Sequence, residues 1–271
     1  MTTEAGTVAP PARAHENEHR WVGFNTIVIR EFSRIIRIWG QTLVPPGITA
    51  TLYFLIFGSL IGPRIGDMGG YSYMQYIAPG LIMMAVITNS YGNVVSSFFG
   101  AKFGKHVEEM LVSPMPNSLI ILGHVAGGVI RGLLVGLLVL VIALFFTDLT
   151  VRHLAVTLSV VVLAAFVFSL AGFINAMYAR DFEGISVIPT FVLTPLTYLG
   201  GVFYSVDLLS EPWRSISHAN PILYMVNAFR YGMLGASDIA IGKAYALILA
   251  LSAALYGLAW YLMHRGVGLR D

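Results

Sequence analysis

Six long apolar runs fill most of this chain, at roughly 43–62, 76–99, 119–146, 153–178, 185–204 and 241–263. A helix of about 20 apolar residues crosses the hydrocarbon core of a bilayer, so each run has the length of a span. Hydrophobic residues make up 56% of the 271 and charged residues only 11%. An ordinary soluble domain carries about 25% charged residues. Too little polar surface remains to solvate a globule of this size, and the runs must face lipid or one another. The expected fold is an all-α polytopic membrane protein with six transmembrane helices. An N-terminal amphipathic interfacial helix precedes them, and external re-entrant half-helices precede the last span.

A net charge of +2 is too small to suggest a nucleic-acid partner. The chain has no Cys, so disulfides and thiolate chemistry are excluded. Residues 1–20 are polar and include two prolines; they read as a cytoplasmic tail, not a cleaved signal peptide. Six spans place both termini on one side. That side would hold Arg13, Arg20, Arg30, Arg34, Arg37, Lys102, Lys105, Arg180, Arg265 and Arg270. The other would hold Arg64, Arg152, Arg214, Arg230 and Lys243. Ten basic residues against five put both termini in the cytoplasm.

The segment WVGFNTIVIREFSRIIRIWGQ, within 21–42, reads as an amphipathic helix. At 100° per residue Trp21, Val28, Phe32, Ile35 and Trp39 share one stripe, with Arg30, Arg34 and Arg37 opposite. Such a helix lies in the membrane interface, with lipid as its partner, and the Pro45–Pro46 pair is expected to break or kink the chain where it enters the bilayer. Between the second and third spans, residues 100–118 form the longest cytoplasmic loop. In it KHVEEMLVSP reads as a short helix ended by Pro114. That helix either rests on a partner or lies on the interface.

Inside the spans three features stand out. Gly128, Gly132 and Gly136 make a small-residue ridge, suited to close packing within the chain or to a dimer seam. Arg131 must face a cavity, a partner chain or the headgroups, because a charge at that depth is costly. Pro189, Pro195, Gly200 and Gly201 interrupt the fifth run. Residues 205–240 then read as two short helices joined by a hairpin, either dipping in from outside or forming an external cap. Asn220 and Pro221 start the second of them.

Catalytic signatures are weak. His15-Glu16-Asn17-Glu18-His19 matches H-E-x-x-H, but in a polar tail outside every span, so no metal site is expected. His124 and Arg131 are the strongly basic groups well inside a span, and neither has an evident catalytic partner. No G-x-x-x-x-G-K-[ST] occurs, so ATP would have to bind another chain.

These features resemble the permease subunit of ABC-2 type exporters. The likeness is carried by RIWGQTLVPPGITATLYFLIFGSLIG, YMQYIAPGLIMM, FFGAKFGKHVEEMLVSPMP and PTFVLTPLTYLGGVFYSVDLLSEPWRSISHANPILYMVNAFRYG. It implies a transmembrane domain over 21–263, a C-terminal cytoplasmic tail over 264–271, pairing with a second copy, and two copies of a separate ATPase carrying ATP and Mg. No cofactor would bind this chain itself. The 21–42 segment would be the connecting helix, with Trp21, Phe32, Trp39, Arg30, Arg34 and Arg37 at the interface. Lys105, His106, Glu108, Glu109, Leu111, Ser113 and Pro114 would couple to the ATPase. Arg131, Pro195, Tyr198, Gly200, Gly201, Phe203, Pro221, Tyr224 and Arg230 would shape the pathway or gate. The resemblance implies export of a hydrophobic, amphipathic or lipid-linked cargo from the cytoplasm or inner leaflet. The alternative is a membrane channel, scaffold or enzyme with no ATPase.

Overall fold

The computed structural model of the chain describes residues 13–113 and 115–268, the first eight of these by their backbone alone. Pro114, the stretches 1–12 and 269–271, and the side chains of His15, Glu16 and His19 lie outside the described residues.

The chain begins with α1 (Arg13–Arg37), turns at Ile38 and enters α2 (Trp39–Ile65). The sequence reading placed that break at Pro45–Pro46. Instead α2 runs through both prolines, and Trp39 belongs to α2, not to the interfacial helix. The prolines still leave a mark: they lack N–H groups, so the carbonyls of Gln41 and Thr42 lose their helical donors. The winding loosens to π-helical over Phe54–Ile61.

A two-residue ribbon, β1 (Asp67–Met68) with β2 (Tyr71–Ser72), leads into α3. Gly69 and Gly70 close it with φ of 60° and 81°, values that L-residues rarely adopt. Ser72 starts α3 (Tyr73–Phe103) with a reciprocal capping box to Gln75. There follow α4 (His106–Val112), α5 (Asn117–Phe146), α6 (Leu154–Tyr178) and α7 (Gly184–Tyr198). After a turn at Val206–Leu208 come α8 (Trp213–His218), α9 (Pro221–Leu234) and α10 (Ile241–Arg265).

Among the described residues five helices, α2, α3, α5, α6 and α10, are long and apolar enough to cross a membrane. The fifth run differs from expectation. Its helix α7 holds 15 residues, about 22 Å at 1.5 Å per residue, short of a core of about 30 Å. Pro189 and Pro195 distort it, with π winding over Pro189–Leu193, and the Gly200–Gly201 turn ends it. It nonetheless carries the chain between the two ends of the bundle. At one end Asn175 donates to the Ile185 carbonyl, and at the other Tyr73 donates to the Phe203 carbonyl.

Helix α3 is the hub. Its first two thirds pack with α5, α6 and α9 around Ile77, Met83, Val86, Ala164 and Val226. Its last third builds a second cluster with Ile120, Phe173 and Leu262. The second cluster marks the end of the bundle that gathers α1, α4 and the last residues of α10; this is the terminal end, and α9 lies at the far end.

Gly128, Gly132 and Gly136 explain how α3 and α5 approach so closely. All three are buried against α3 of the same chain. A Cβ at Gly136 would lie 2.6 Å from Val86 Cγ2, and one at Gly132 would collide with Ser90 Oγ. The ridge is therefore a seat within the chain. Gly132→Leu is expected to cost about 1–3 kcal/mol of overpacking, seen as a lower melting temperature and aggregation on size exclusion in detergent. Gly92→Ala, where nothing lies within 4 Å, should leave both measurements unchanged.

Candidate functional site

At the terminal end α1 meets the bundle through a charged face. Ile27 and Ile35 are buried, and between them Glu31 is only 3% exposed. Gly127 of α5 makes room: a Cβ there would sit 2.7 Å from Glu31 Cβ. Arg34 donates to Glu31 Oε2 at 2.8 Å and to Asn93 Oδ1 at 2.8 Å. Ser97 donates to Glu31 Oε1. Burying an unpaired carboxylate costs several kcal/mol, so the pair and its hydrogen bonds must form together. They stitch α1 to the last third of α3. Trp21, Phe32 and Trp39 face away from the bundle, as do Arg30 and Arg37. Arg34 thus leaves the basic face expected of it and serves as an internal clamp.

Helix α4 hangs from the same end. Val107 is buried in the terminal cluster, and Met110 packs against it. Lys105 enters the helix in a left-handed conformation, φ 61°. His106 Nδ1 lies 2.6 Å from the Gly104 carbonyl, and Ser113 donates to the Met110 carbonyl. Lys102, just before, donates to the carbonyls of Met177 and Ala179 at 2.8 Å each, fastening α3 to the end of α6. Lys105, His106, Glu108, Glu109 and Leu111 are exposed, and Val112 is 88% exposed. A rigid root therefore carries a small acidic and apolar surface.

Midway along the bundle, α2, α3 and α5 line a half-open cavity of about 320 Å³. Gln41, Thr49 and Tyr53 of α2, Thr88 and Asn89 of α3, and Arg131 of α5 supply its polar lining. Tyr53 also joins its hydroxyl to that of Tyr198 at 2.8 Å. Phe203 stacks on Tyr198 and contacts Tyr53 and Phe57. The structure thus links Arg131, Tyr198 and Phe203 along α2. Pro195 sits on the exposed side of α7.

The remaining expected pathway residues stand apart, in the far-end packing. Asn220 caps α9, accepting from Ile222 N at 2.9 Å, with Pro221 at its first position. Tyr224 donates to the His218 carbonyl. Arg230 is 1% exposed, 3.9 Å over the Tyr76 ring, and donates to the carbonyls of Gly201 and Tyr76. Gly201 adopts φ 69° beside Leu223, and Gly200 packs on Ile222. These contacts lock α9 to α3 and to the turn after α7. His124, in the terminal cluster, is buried edge-on to Phe98, its Nδ1 2.9 Å from the Ile120 carbonyl.

Residues 22–234 match the ABC-2 type transporter family. The chain belongs to that family. It is 56% identical over 251 residues to the inner membrane transport permease YadH of Escherichia coli K12, covering 93% of this chain and 98% of that protein. Nodulation protein J of Neorhizobium galegae is 24% identical over 185 residues, covering 68% of this chain and 71% of the relative. Its counterpart in Rhizobium leguminosarum bv. trifolii is 25% identical over the same length. The protein is accordingly a multi-pass membrane component of an ABC-2 type transporter.

For an ABC-2 protein the sequence reading overlooked Glu31, Asn89, Asn93 and Ser97. Two signals were available. Glu31 interrupts the apolar 27–31–35 series, and Asn89, Asn93 and Ser97 recur every four residues within a span. Glu31→Leu is expected to strand Arg34 and destabilise the protein by about 2–3 kcal/mol, less than a fully dry pair because Arg34 keeps some exposure. Glu31→Leu with Arg34→Leu should recover at least half of that loss in thermal melts.

Proposed function

We propose that this chain is the transmembrane permease subunit of an ATP-binding cassette exporter, working as a pair with two copies of a separate ATPase that holds ATP and Mg. It sits in the bacterial inner membrane and crosses it six times, α7 with the flanking Leu199–Phe203 segment making the fifth crossing. The ten-to-five distribution of basic residues favours both termini in the cytoplasm. Helix α1 then lies in the inner interface, with Trp21 and Phe32 toward lipid and Arg30 and Arg37 toward headgroups, and Trp39 at the start of α2 beside it.

The observation that carries the reading is α4, a seven-residue helix anchored by Val107 and presenting Glu108, Glu109, Leu111 and Val112 outward. A partner that grips this surface moves α3 and α5 directly, because α4 joins them through only a few residues. Closure of the ATPase pair rocks the spans as rigid bodies, and cargo moves outward with no catalytic group on this chain. The apolar and aromatic lining near α2 and α7 suits a hydrophobic, amphipathic or lipid-linked cargo.

Affinity purification from the native membrane in mild detergent should bring down a P-loop ATPase in equal amount. Glu108→Ala with Glu109→Ala is expected to weaken that association about tenfold or more and to lower ATP turnover, with membrane insertion intact. Unchanged co-purification and turnover in the double variant would remove the coupling role of α4. A chain that purifies alone even after crosslinking has no motor, and is better read as a channel or scaffold.

A further inference from the structure

We infer that the cavity between α2, α3 and α5 binds the anionic headgroup of an amphiphile, held by Arg131. Three observations lead there. The first is depth. Arg131 is the fifteenth residue of the 30-residue α5, about 21 Å from its start. That places it inside the span, one helical turn or about 6 Å beyond Gly127, the residue on which Glu31 of α1 packs.

The second is the missing counter-charge. Among the described residues Arg131 has no ion pair, and its buried Nε has no hydrogen-bond partner. No carboxylate lines the cavity. The nearest buried one described, Glu31, is already engaged by Arg34, Asn93 and Ser97. A guanidinium offers five donors in a fork that matches carboxylate, sulfate or phosphate oxygens. A charge held at this depth without a partner is costly, and an anion supplied from outside removes that cost.

The third is the character of the walls. Gln41, Thr49, Tyr53 and Asn89 add hydrogen-bonding groups beside the cation, and Leu81 and Met84 give an apolar side. The volume, about 320 Å³, is at the lower end for a small-ligand cleft; it fits a headgroup and the first part of a chain. This occupant narrows the cargo proposed above to anionic amphiphiles and rests on that reading. The site itself is tested without an ATPase, so loss of one leaves the other standing.

The test is equilibrium binding of radiolabelled dodecyl phosphate, against dodecanol, to the purified chain in phosphatidylcholine nanodiscs. The wild type should prefer the phosphate by about tenfold or more. Arg131→Gln should bring the two ligands level, and Arg131→Lys should keep most of the preference. Ala85→Phe, which fills the cavity and leaves the charge, should abolish binding of both. An unchanged preference in Arg131→Gln, or wild-type binding in Ala85→Phe, overturns the assignment. Two arms separate the sources of the anion. Competition by phosphatidylglycerol in the nanodisc supports the site with bilayer lipid as its occupant, and no such competition supports a free amphiphile. Equal competition by inorganic phosphate overturns the requirement for an apolar chain.

Discussion

The close approach of α3 and α5 is the contact on which the rest of this molecule depends. Inside a bilayer the hydrophobic effect gives little reason for one apolar helix to prefer another over lipid, so packing and hydrogen bonding must supply it. Gly128, Gly132 and Gly136 let α5 lie against Val86, Ser90 and Val94 almost backbone to backbone. With α3 fixed there, α6 and α9 complete its burial, and α10 closes over α6 and α9. The helices that lack such a seat, α2 and α7, keep most of their apolar side chains on the outside; Phe191 of α7 is 75% exposed. They are the elements whose apolar faces the rest of the chain leaves uncovered.

Charge is distributed by the same logic. Among the described residues four arginines are buried or half-buried; Arg214 pairs with Asp207 in the segment between α7 and α9, and the three that lie along the long helices or α9 are each handled differently. Arg34 is neutralised by Glu31 and held by Asn93. Arg230 has carbonyls and the face of Tyr76 around it at the far end. Arg131 faces a cavity with no acid in its lining. The first two fasten elements together. Arg34 and Arg230 each leave one buried nitrogen unpaired as well, but their other donors are engaged within the chain, and that contrast makes the third a functional candidate.

Much of this was legible in residue patterns. Span positions followed from apolar run length, because a helix must satisfy its backbone internally in lipid. The short helix before Pro114, the cap at Asn220–Pro221 and the interruption of the fifth run were visible as turn and cap chemistry. Two readings failed for a definite reason. Pro45–Pro46 resembled a break, yet α2 continues through them, and lipid-depth helices tolerate proline where neighbours cover the freed carbonyls. Arg34 was grouped with Arg30 and Arg37, although a helix one turn off the basic face can turn a long side chain inward to a carboxylate.

By itself, then, the sequence determined that this chain lives in a membrane, roughly where its long apolar helices lie, and that a short helix stands between the second and third of the apolar runs. Those properties depend on composition and local periodicity. Only the tertiary structure decided that the glycine ridge serves packing within the chain, that Glu31 is buried, and that Arg230 is a fastening while Arg131 opens onto a cavity. Each of those turns on which face meets which across tens of residues. Residue type sets the cost of burying a charge, but the neighbours that meet this cost are fixed by the packing of α1, α3 and α5.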